Sequence, residues 1–161
     1  MMERDSTMPL TYVSGDPLLT RMNALAFGHN ARGRSEQGPL HIALQQQFPA
    51  AFASYTRQCR QSRLKSGDYW IWHDSQLILI FMIVRESSVS ATRLRDVQSV
   101  ALKLSRDYQQ EGLARVAIAP IGSELEWPEV KLVLENWLPQ SKLVSVVYDR
   151  YIPGEHPNET E

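Results

Sequence analysis

The sequence predicts an α/β fold of three layers (α/β/α), in which a mixed central sheet is covered by helices on both faces. Three observations lead to this prediction: strand-like and helix-like segments alternate, segment 77–84 is apolar on both faces, and polar turn signals separate the segments. Such alternation is typical of a sheet between two helical layers, and a strand that is apolar on both faces belongs inside it. We therefore expect 77–84 and 116–119 to be interior strands.

Six short segments have the composition of strands, since apolar residues dominate them and turn-forming residues bound them. They are 10–13, 24–28, 69–72, 77–84, 115–119 and 143–148. The polar turn His73-Asp74-Ser75-Gln76 separates the third segment from the fourth. We expect these two strands to form a hairpin.

Four segments show the spacing of an amphipathic helix. Pro49 and Pro128 mark the starts of the second and fourth, because proline suits the first turn of a helix. The apolar positions are 40, 43, 44 and 48 in the first; 52, 55 and 59 in the second; 94, 97, 100, 101, 104 and 108 in the third; and 130, 133, 134, 137 and 138 in the fourth.

Composition limits the classes of protein to which the chain can belong. Its 161 residues, 43% of them hydrophobic, are enough for one core without a metal or disulfide. Seventeen Lys and Arg against eighteen Asp and Glu give a net charge of -1, which argues against a protein that mainly grips phosphate backbones. We expect the single cysteine, Cys59, to be a small buried apolar side chain. The histidines at 29, 41, 73 and 156 lack the spacing of a metal site, so we predict no metal and no cofactor.

We expect one domain, residues 10–152, between flexible polar tails at 1–9 and 153–161. The longest apolar run has eight residues, well short of a membrane span of about 20. The first residues lack the apolar core of a secretory signal. A cytoplasmic protein without a membrane partner is therefore the expectation.

Three loops follow predicted strands, where ligands bind in α/β folds. Asp16 could accept a hydrogen bond from an exocyclic amine. The other two loops supply backbone amides, and a helix that opens at Leu40 could direct its positive end at a phosphate. Two amide-rich loops that face each other would suit a diphosphate, although each loop taken alone is better explained as an ordinary turn. The candidate ligand-binding residues are Gly15, Asp16, Asn30, Gly33, Gly38, Pro120, Ile121, Gly122 and Ser123.

Several stretches together resemble a macro domain, the ADP-ribose-binding α/β module. They look most like the branch that contains terminal ADP-ribose protein glycohydrolase and the DNA-ADP-ribose-removing antitoxins. The stretches are Thr11-Tyr12-Val13-Ser14-Gly15-Asp16, Leu25-Ala26-Phe27-Gly28-His29-Asn30, residues 41–49, Ala117-Ile118-Ala119-Pro120-Ile121-Gly122 and Leu125-Glu126-Trp127-Pro128-Glu129-Val130. The resemblance covers residues 10–150 and implies the fold, a site for ADP-ribose or a related nucleotide, and an ADP-ribosylated protein or nucleic acid as partner.

Departures from the family pattern affect the expected activity. Where the family has two glycines before its Ile-Ala, this chain has Pro39 and His41, and both replacements narrow the path of a ligand. The second loop is shorter than in the family and lacks the part that carries the assisting acid, so Glu124 is the nearest substitute. The family's lysine nucleophile aligns with Arg85, which stays protonated. Glu124 and His41 are therefore the candidate catalytic residues.

Three functions remain open from the sequence. The first is binding of ADP-ribose or a related nucleotide with little or no glycohydrolase activity. The second is a protein-interaction module that keeps the fold with its pocket closed or reassigned. The third is a hydrolase that uses a non-standard set of residues. A solvated helix face explains Arg57, Arg60, Arg63 and Lys65 better than contact with nucleic acid, because no aromatic platform accompanies them.

Overall fold

A computed structural model describes residues 10–159, which form one six-stranded sheet and four α-helices. The predicted tail at 1–9 and the last two residues lie outside this range. The strands are β1 (Leu10–Gly15), β2 (Ala24–Asn30), β3 (Tyr69–His73), β4 (Ile78–Arg85), β5 (Arg115–Ile118) and β6 (Val144–Tyr151). The helices are α1 (Pro39–Gln47), α2 (Pro49–Arg60), α3 (Leu94–Asp107) and α4 (Trp127–Trp137).

The sheet has the order β1-β6-β5-β2-β4-β3 and is mixed. Every neighbouring pair is parallel except β3 and β4, which form the predicted antiparallel hairpin. The predicted interior strands are confirmed, because β4 lies between β2 and β3 and β5 lies between β6 and β2. Five strands therefore end at the same edge of the sheet, which is where their loops converge.

Two hydrophobic cores make the three layers. Alternate residues of β4 point into different cores, which explains why its sequence is apolar on both faces. Ile80, Met82 and Val84 pack with α3 and α4. Leu79, Phe81 and Ile83 pack with α1 and α2, where Cys59 is also buried, as expected.

One boundary differs from its prediction in a way that matters for the site. We expected the second strand to end at Gly28, but β2 continues to Asn30 because its last residue still pairs with Arg85 of β4. The irregular register between His29 and Asn30 marks the point where the two strands lead into their loops. Asn30 and Arg85 are thus placed side by side at the carboxyl edge.

The C-terminal segment, which we define as residues 152–159, lies on the domain. The Ile152 N–H donates to the Gly15 carbonyl at 2.9 Å, which continues the contact between the ends of β6 and β1. At its other end Glu159 is buried. The described part of the segment that we expected to be a polar tail therefore makes specific contacts with the domain.

Within residues 10–159, no helix combines the length and apolar character needed to cross a bilayer.

Candidate functional site

A cleft of about 490 Å³ lies at the carboxyl edge of the sheet, and we call it the Arg85 cleft. Loop 31–38 and the start of α1 form one wall, the loop between β5 and α4 forms the opposite wall, and residues 88–91 lie between them. The polar residues that line it include Glu36, His41, Arg85, Gly122, Ser123 and Glu126. Three predicted site residues, His41, Gly122 and Ser123, are therefore brought together.

Arg85, the last residue of β4, is 5% exposed and is held on two sides. Its Nη1 lies 2.8 Å from Glu36 Oε1, and the two side chains are 6% and 9% exposed. Its Nη2 donates to Thr92 Oγ1 at 2.6 Å. A buried charge needs such a partner, because an unpaired ion is costly to desolvate.

His41 contributes a neutral imidazole to the cleft. Its Nε2 lies 2.9 Å from the Gly28 carbonyl oxygen, which only accepts, so Nε2 carries the proton. Burial lowers the pKa of His41 and outweighs the opposing effect of this hydrogen bond. The ring is therefore uncharged at neutral pH and offers no cation to an anionic ligand.

The wall formed by the β5–α4 loop is closed by a reciprocal pair of hydrogen bonds. The Ser123 N–H donates to Glu126 Oε1 at 2.9 Å, and the Glu126 N–H donates to Ser123 Oγ at 3.2 Å. This reciprocal pair has the hydrogen-bond pattern of a Ser-x-x-Glu capping box and lies in the turn directly before α4. Burial raises the pKa of the Glu126 carboxyl, but the N–H donors of Ser123 and Thr92 outweigh it, so the pKa lies below its ordinary value.

Gly122 is required where this loop meets the cleft. Its φ of +83° favours glycine, and a Cβ there would lie 2.6 Å from Glu126 Oε1. Its backbone therefore lies directly against the Glu126 carboxylate.

Asn30 organises loop 31–38 from a fully buried position. Its Oδ1 accepts from the N–H groups of Arg32 and Arg34, at 3.1 and 3.2 Å. Its Nδ2 donates to the Arg34 carbonyl at 2.9 Å and to Glu36 Oε2 at 2.8 Å. The side chain predicted to bind a ligand thus makes its hydrogen bonds within the loop, and it positions Glu36 beside Arg85.

Gly15 and Asp16 lie under the C-terminal segment and do not line the Arg85 cleft. Asp16 Oδ1 accepts from the Leu18 N–H at 3.0 Å, and Oδ2 accepts from the Gly154 N–H at 2.8 Å. Asp16 is 8% exposed. Its carboxylate therefore already accepts hydrogen bonds from within the chain, where we expected it to accept one from the exocyclic amine of a ligand.

The remaining predicted residues do not line the cleft. Gly33 is tied to α2, because its carbonyl accepts from Thr56 Oγ1 at 2.9 Å. Gly38 is the N-cap of α1, and Ile121 is fully buried. Pro120 is half-buried beside it, while Glu124 is exposed in the turn before α4.

Sequence reasoning missed Glu36, Glu126 and the C-terminal segment. The Ser123-x-x-Glu126 spacing is a signal that could have identified Glu126. No local pattern identifies Glu36 or Gly154, because each takes its role from a residue that is distant in sequence.

A second cleft of about 660 Å³ lies on the other side of loop 31–38. Its charged lining consists of Arg32, Arg34, Arg60, Lys65 and Glu86. Arg60 and Lys65 are exposed there, which agrees with the expected solvated face. Among residues 10–159 no three His, Cys, Asp or Glu side chains are grouped so as to hold a metal ion.

Comparison with solved structures shows the macrodomain fold. The macrodomain of Thermus aquaticus DarG matches with a TM-score of 0.77 and 21% identity, over 89% of this chain and 98% of that one. The macrodomain of Mycobacterium tuberculosis DarG matches with a TM-score of 0.78 and 24% identity, over 90% and 98% of the two chains. Thermosipho africanus DarTG, solved in complex with ADP-ribose, matches with a TM-score of 0.79 and 18% identity, over 91% of this chain and 42% of that longer one.

The sequence matches no protein-family model and no curated protein. At these identities the structural likeness establishes the fold, and the predicted macro-domain architecture is confirmed.

Proposed function

From the macrodomain fold and the Arg85 cleft, we propose that this protein is a binding module for ADP-ribose or a related nucleotide. The ligand is held by its ribose-phosphate portion and is not hydrolysed. The observation that carries the proposal is the position of Arg85, a buried cation at the point where two loops meet at the carboxyl edge of the sheet. The structural neighbour from Thermosipho africanus, which holds ADP-ribose, supports this ligand class.

The donors available to a phosphate come from the end of β4 and the start of α1. Arg85 can present two parallel N–H groups, a geometry that suits phosphate oxygens. The first N–H groups of α1 have no partner within the helix and carry its positive end. Together they form a polar end for a ribose phosphate.

The charges that line the Arg85 cleft limit its affinity for an anion. The titratable residues that line the cleft are one cation, Arg85, two carboxylates, Glu36 and Glu126, and the neutral His41. An incoming phosphate must therefore compete with Glu36 for the guanidinium. We expect modest affinity, and we expect removal of the Glu36 charge to increase it.

The same residues argue against hydrolysis. Cleavage of an ADP-ribosyl bond needs a group that protonates the leaving group or activates water. Arg85 does not deprotonate, and the lowered pKa of Glu126 keeps it ionised and therefore a poor acid at neutral pH. Glu124 is exposed and lies outside the lining of the cleft.

Chemical-shift titration of ¹⁵N-labelled protein with ADP-ribose and with ribose 5-phosphate tests the proposal. We expect Arg85→Gln to abolish binding of both ligands. Glu36→Gln, which frees the same guanidinium, should strengthen it, by roughly tenfold if one charged competitor is removed.

The two variants break one ion pair from opposite ends, which makes each a control for the other. Damage to the fold would weaken binding in both, and thermal melts identify that case. Binding that is unchanged in Arg85→Gln would exclude the Arg85 cleft as the ligand site.

The second candidate function, an interaction module, is favoured by a different observation. Asp16, Glu36 and Glu126 already have partners within the chain, so the polar groups that a nucleotide would contact are occupied. If this function is correct, neither ligand will shift any resonance of the cleft, even in Glu36→Gln.

A further inference from the structure

We propose that the C-terminal segment fills the position where Asp16 would read a base, so that the protein selects ribose phosphates and takes no affinity from adenine. This inference rests on the proposed function of the Arg85 cleft and adds the ligand class that the cleft accepts. Two sets of contacts carry it, one at Asp16 and one at Glu159.

At Asp16 the segment makes a paired contact. The Asp16 N–H donates to the Glu155 carbonyl at 2.8 Å, while Asp16 Oδ2 accepts from the Gly154 N–H at 2.8 Å. One residue therefore offers a donor and an acceptor side by side, and the segment satisfies both.

This pairing has the chemistry of base recognition. Adenine presents an amine donor next to a ring-nitrogen acceptor on its Watson–Crick edge, the edge that proteins read by hydrogen bonds. The Gly154 N–H takes the place of the amine, and the Glu155 carbonyl takes the place of the ring nitrogen. A base and the segment cannot occupy Asp16 together.

The segment also lies in direct contact with the backbone before Asp16. A Cβ at Gly15 would lie 2.9 Å from the Glu155 carbonyl oxygen and 3.1 Å from Pro157 Cα. This distance leaves no room for the thickness of a base between the segment and β1.

Glu159 fixes the far end of the segment. Its carboxylate accepts from Thr20 Oγ1 at 2.5 Å, from the Arg21 N–H at 2.9 Å and from the Tyr148 hydroxyl. Glu159 is 9% exposed, so these hydrogen bonds are shielded from water. The segment is therefore held at both ends and covers Asp16 in the resting protein.

Ligand selection follows from this arrangement. Ribose 5-phosphate and ADP-ribose should bind the natural chain with comparable affinity, because the adenine of the larger ligand finds no partner at Asp16. Adenosine, which carries the base but no phosphate, should not bind the natural chain.

The substitution Gly154→Ala tests the proposal, because it adds one methyl group to the C-terminal segment and destabilises its closed position. Gly154 has a φ of +79° and nothing within 4 Å of a Cβ, so the change strains the segment without a clash. Gly112→Ala is the matched control, because Gly112 has a φ of +75°, an equally open Cβ position and a place in the loop after α3.

We expect Gly154→Ala to gain adenosine binding and to bind ADP-ribose roughly five- to thirtyfold more tightly, the factor by which the strain favours the open segment. Affinity for ribose 5-phosphate should stay the same. Gly112→Ala should resemble the natural chain. Adding Asp16→Ala to Gly154→Ala should remove both gains.

Equal adenosine binding by the natural chain and Gly154→Ala would overturn the proposal, and so would the absence of adenosine binding from both. The proposal would also be overturned if Gly154→Ala increased the affinity for ribose 5-phosphate as much as the affinity for ADP-ribose. Adenosine has no phosphate for Arg85 to bind, so failure of ribose 5-phosphate to bind any variant would reject the proposed function while the adenosine result still decides this inference.

Discussion

Three carboxylates of this chain have internal partners at positions that a ligand would contact. Asp16 accepts from the Gly154 N–H, Glu36 pairs with the Arg85 guanidinium, and Glu126 accepts from the Ser123 N–H. A ligand amine would have to displace the Gly154 N–H from Asp16, whereas a phosphate would have to displace the carboxylates from Arg85 or Ser123. A ligand must therefore replace internal partners rather than meet unpaired groups.

Glu126→Gln should lower the free energy of unfolding by about 1–3 kcal/mol, the cost of leaving a donor unsatisfied. The two carboxylate oxygens accept from the N–H groups of Ser123 and Thr92, and an amide can accept at only one of these positions. Urea denaturation measures the loss. Glu124→Gln, exposed in the same turn, is the control and should change little. Equal losses in the two variants would show that Glu126 is not a cap.

His29 makes stability depend on pH. Burial, followed by the nearby His41, lowers the pKa of His29 to about 3. Below pH 6.5 the unfolded chain binds a proton at His29 that the folded protein excludes. The free energy of unfolding therefore decreases by about 1.4 kcal/mol for each unit by which the pH is lowered, until the folded-state pKa is reached. His29→Gln should flatten this slope between pH 6 and 4 in denaturant titrations. The exposed His73→Gln is the control, and an unchanged slope in His29→Gln would contradict the prediction.

Among the elements, loop 31–38 has the greatest influence on the site. It is the wall that lies between the Arg85 cleft and the second cleft, which Arg32, Arg34, Arg60 and Lys65 line, and it contributes residues to both. Asn30 holds this wall from inside, and the Tyr55 hydroxyl donates to the Asn30 carbonyl at 2.7 Å. The loop is thereby joined to β2 and to α2.

Asn30→Ala should loosen the wall between both clefts. The four hydrogen bonds of its side chain disappear, and hydrogen exchange of residues 31–38 should accelerate. The free energy of unfolding should fall by about 1–3 kcal/mol. Asn136→Ala, on an exposed part of α4, is the control. Unchanged exchange in the loop would show that α2 alone holds it.

For the molecule as a whole, the order of strands and helices could be predicted from the sequence. The two-faced apolar run of β4, the hairpin turn after β3 and the amphipathic spacing of α3 are local signals. The glycine-containing turn led to Gly122 and the family resemblance led to His41, and both residues line the cleft. The partners of Asp16 and Arg85 could not be predicted, because Gly154 and Glu36 reach them only through the fold.

The whole molecule should release no ADP-ribose from ADP-ribosylated protein or DNA above a buffer control. Of the two carboxylates in the cleft, Glu36 is engaged by Arg85 and Asn30, and Glu126 stays ionised and cannot act as the acid. Chromatographic detection of free ADP-ribose over hours measures this. Release that Glu124→Gln abolishes would restore an enzymatic function, and release that His41→Ala abolishes would place the chemistry at the start of α1.

The internal carboxylates also determine the heat of binding. When a phosphate displaces Glu36 from Arg85, one charge-assisted hydrogen bond is exchanged for another, and the released carboxylate gains water. The net enthalpy of binding is therefore smaller than that of a phosphate that meets an unpaired guanidinium. Calorimetry should then record more heat per mole of ligand bound for Glu36→Gln than for the natural chain.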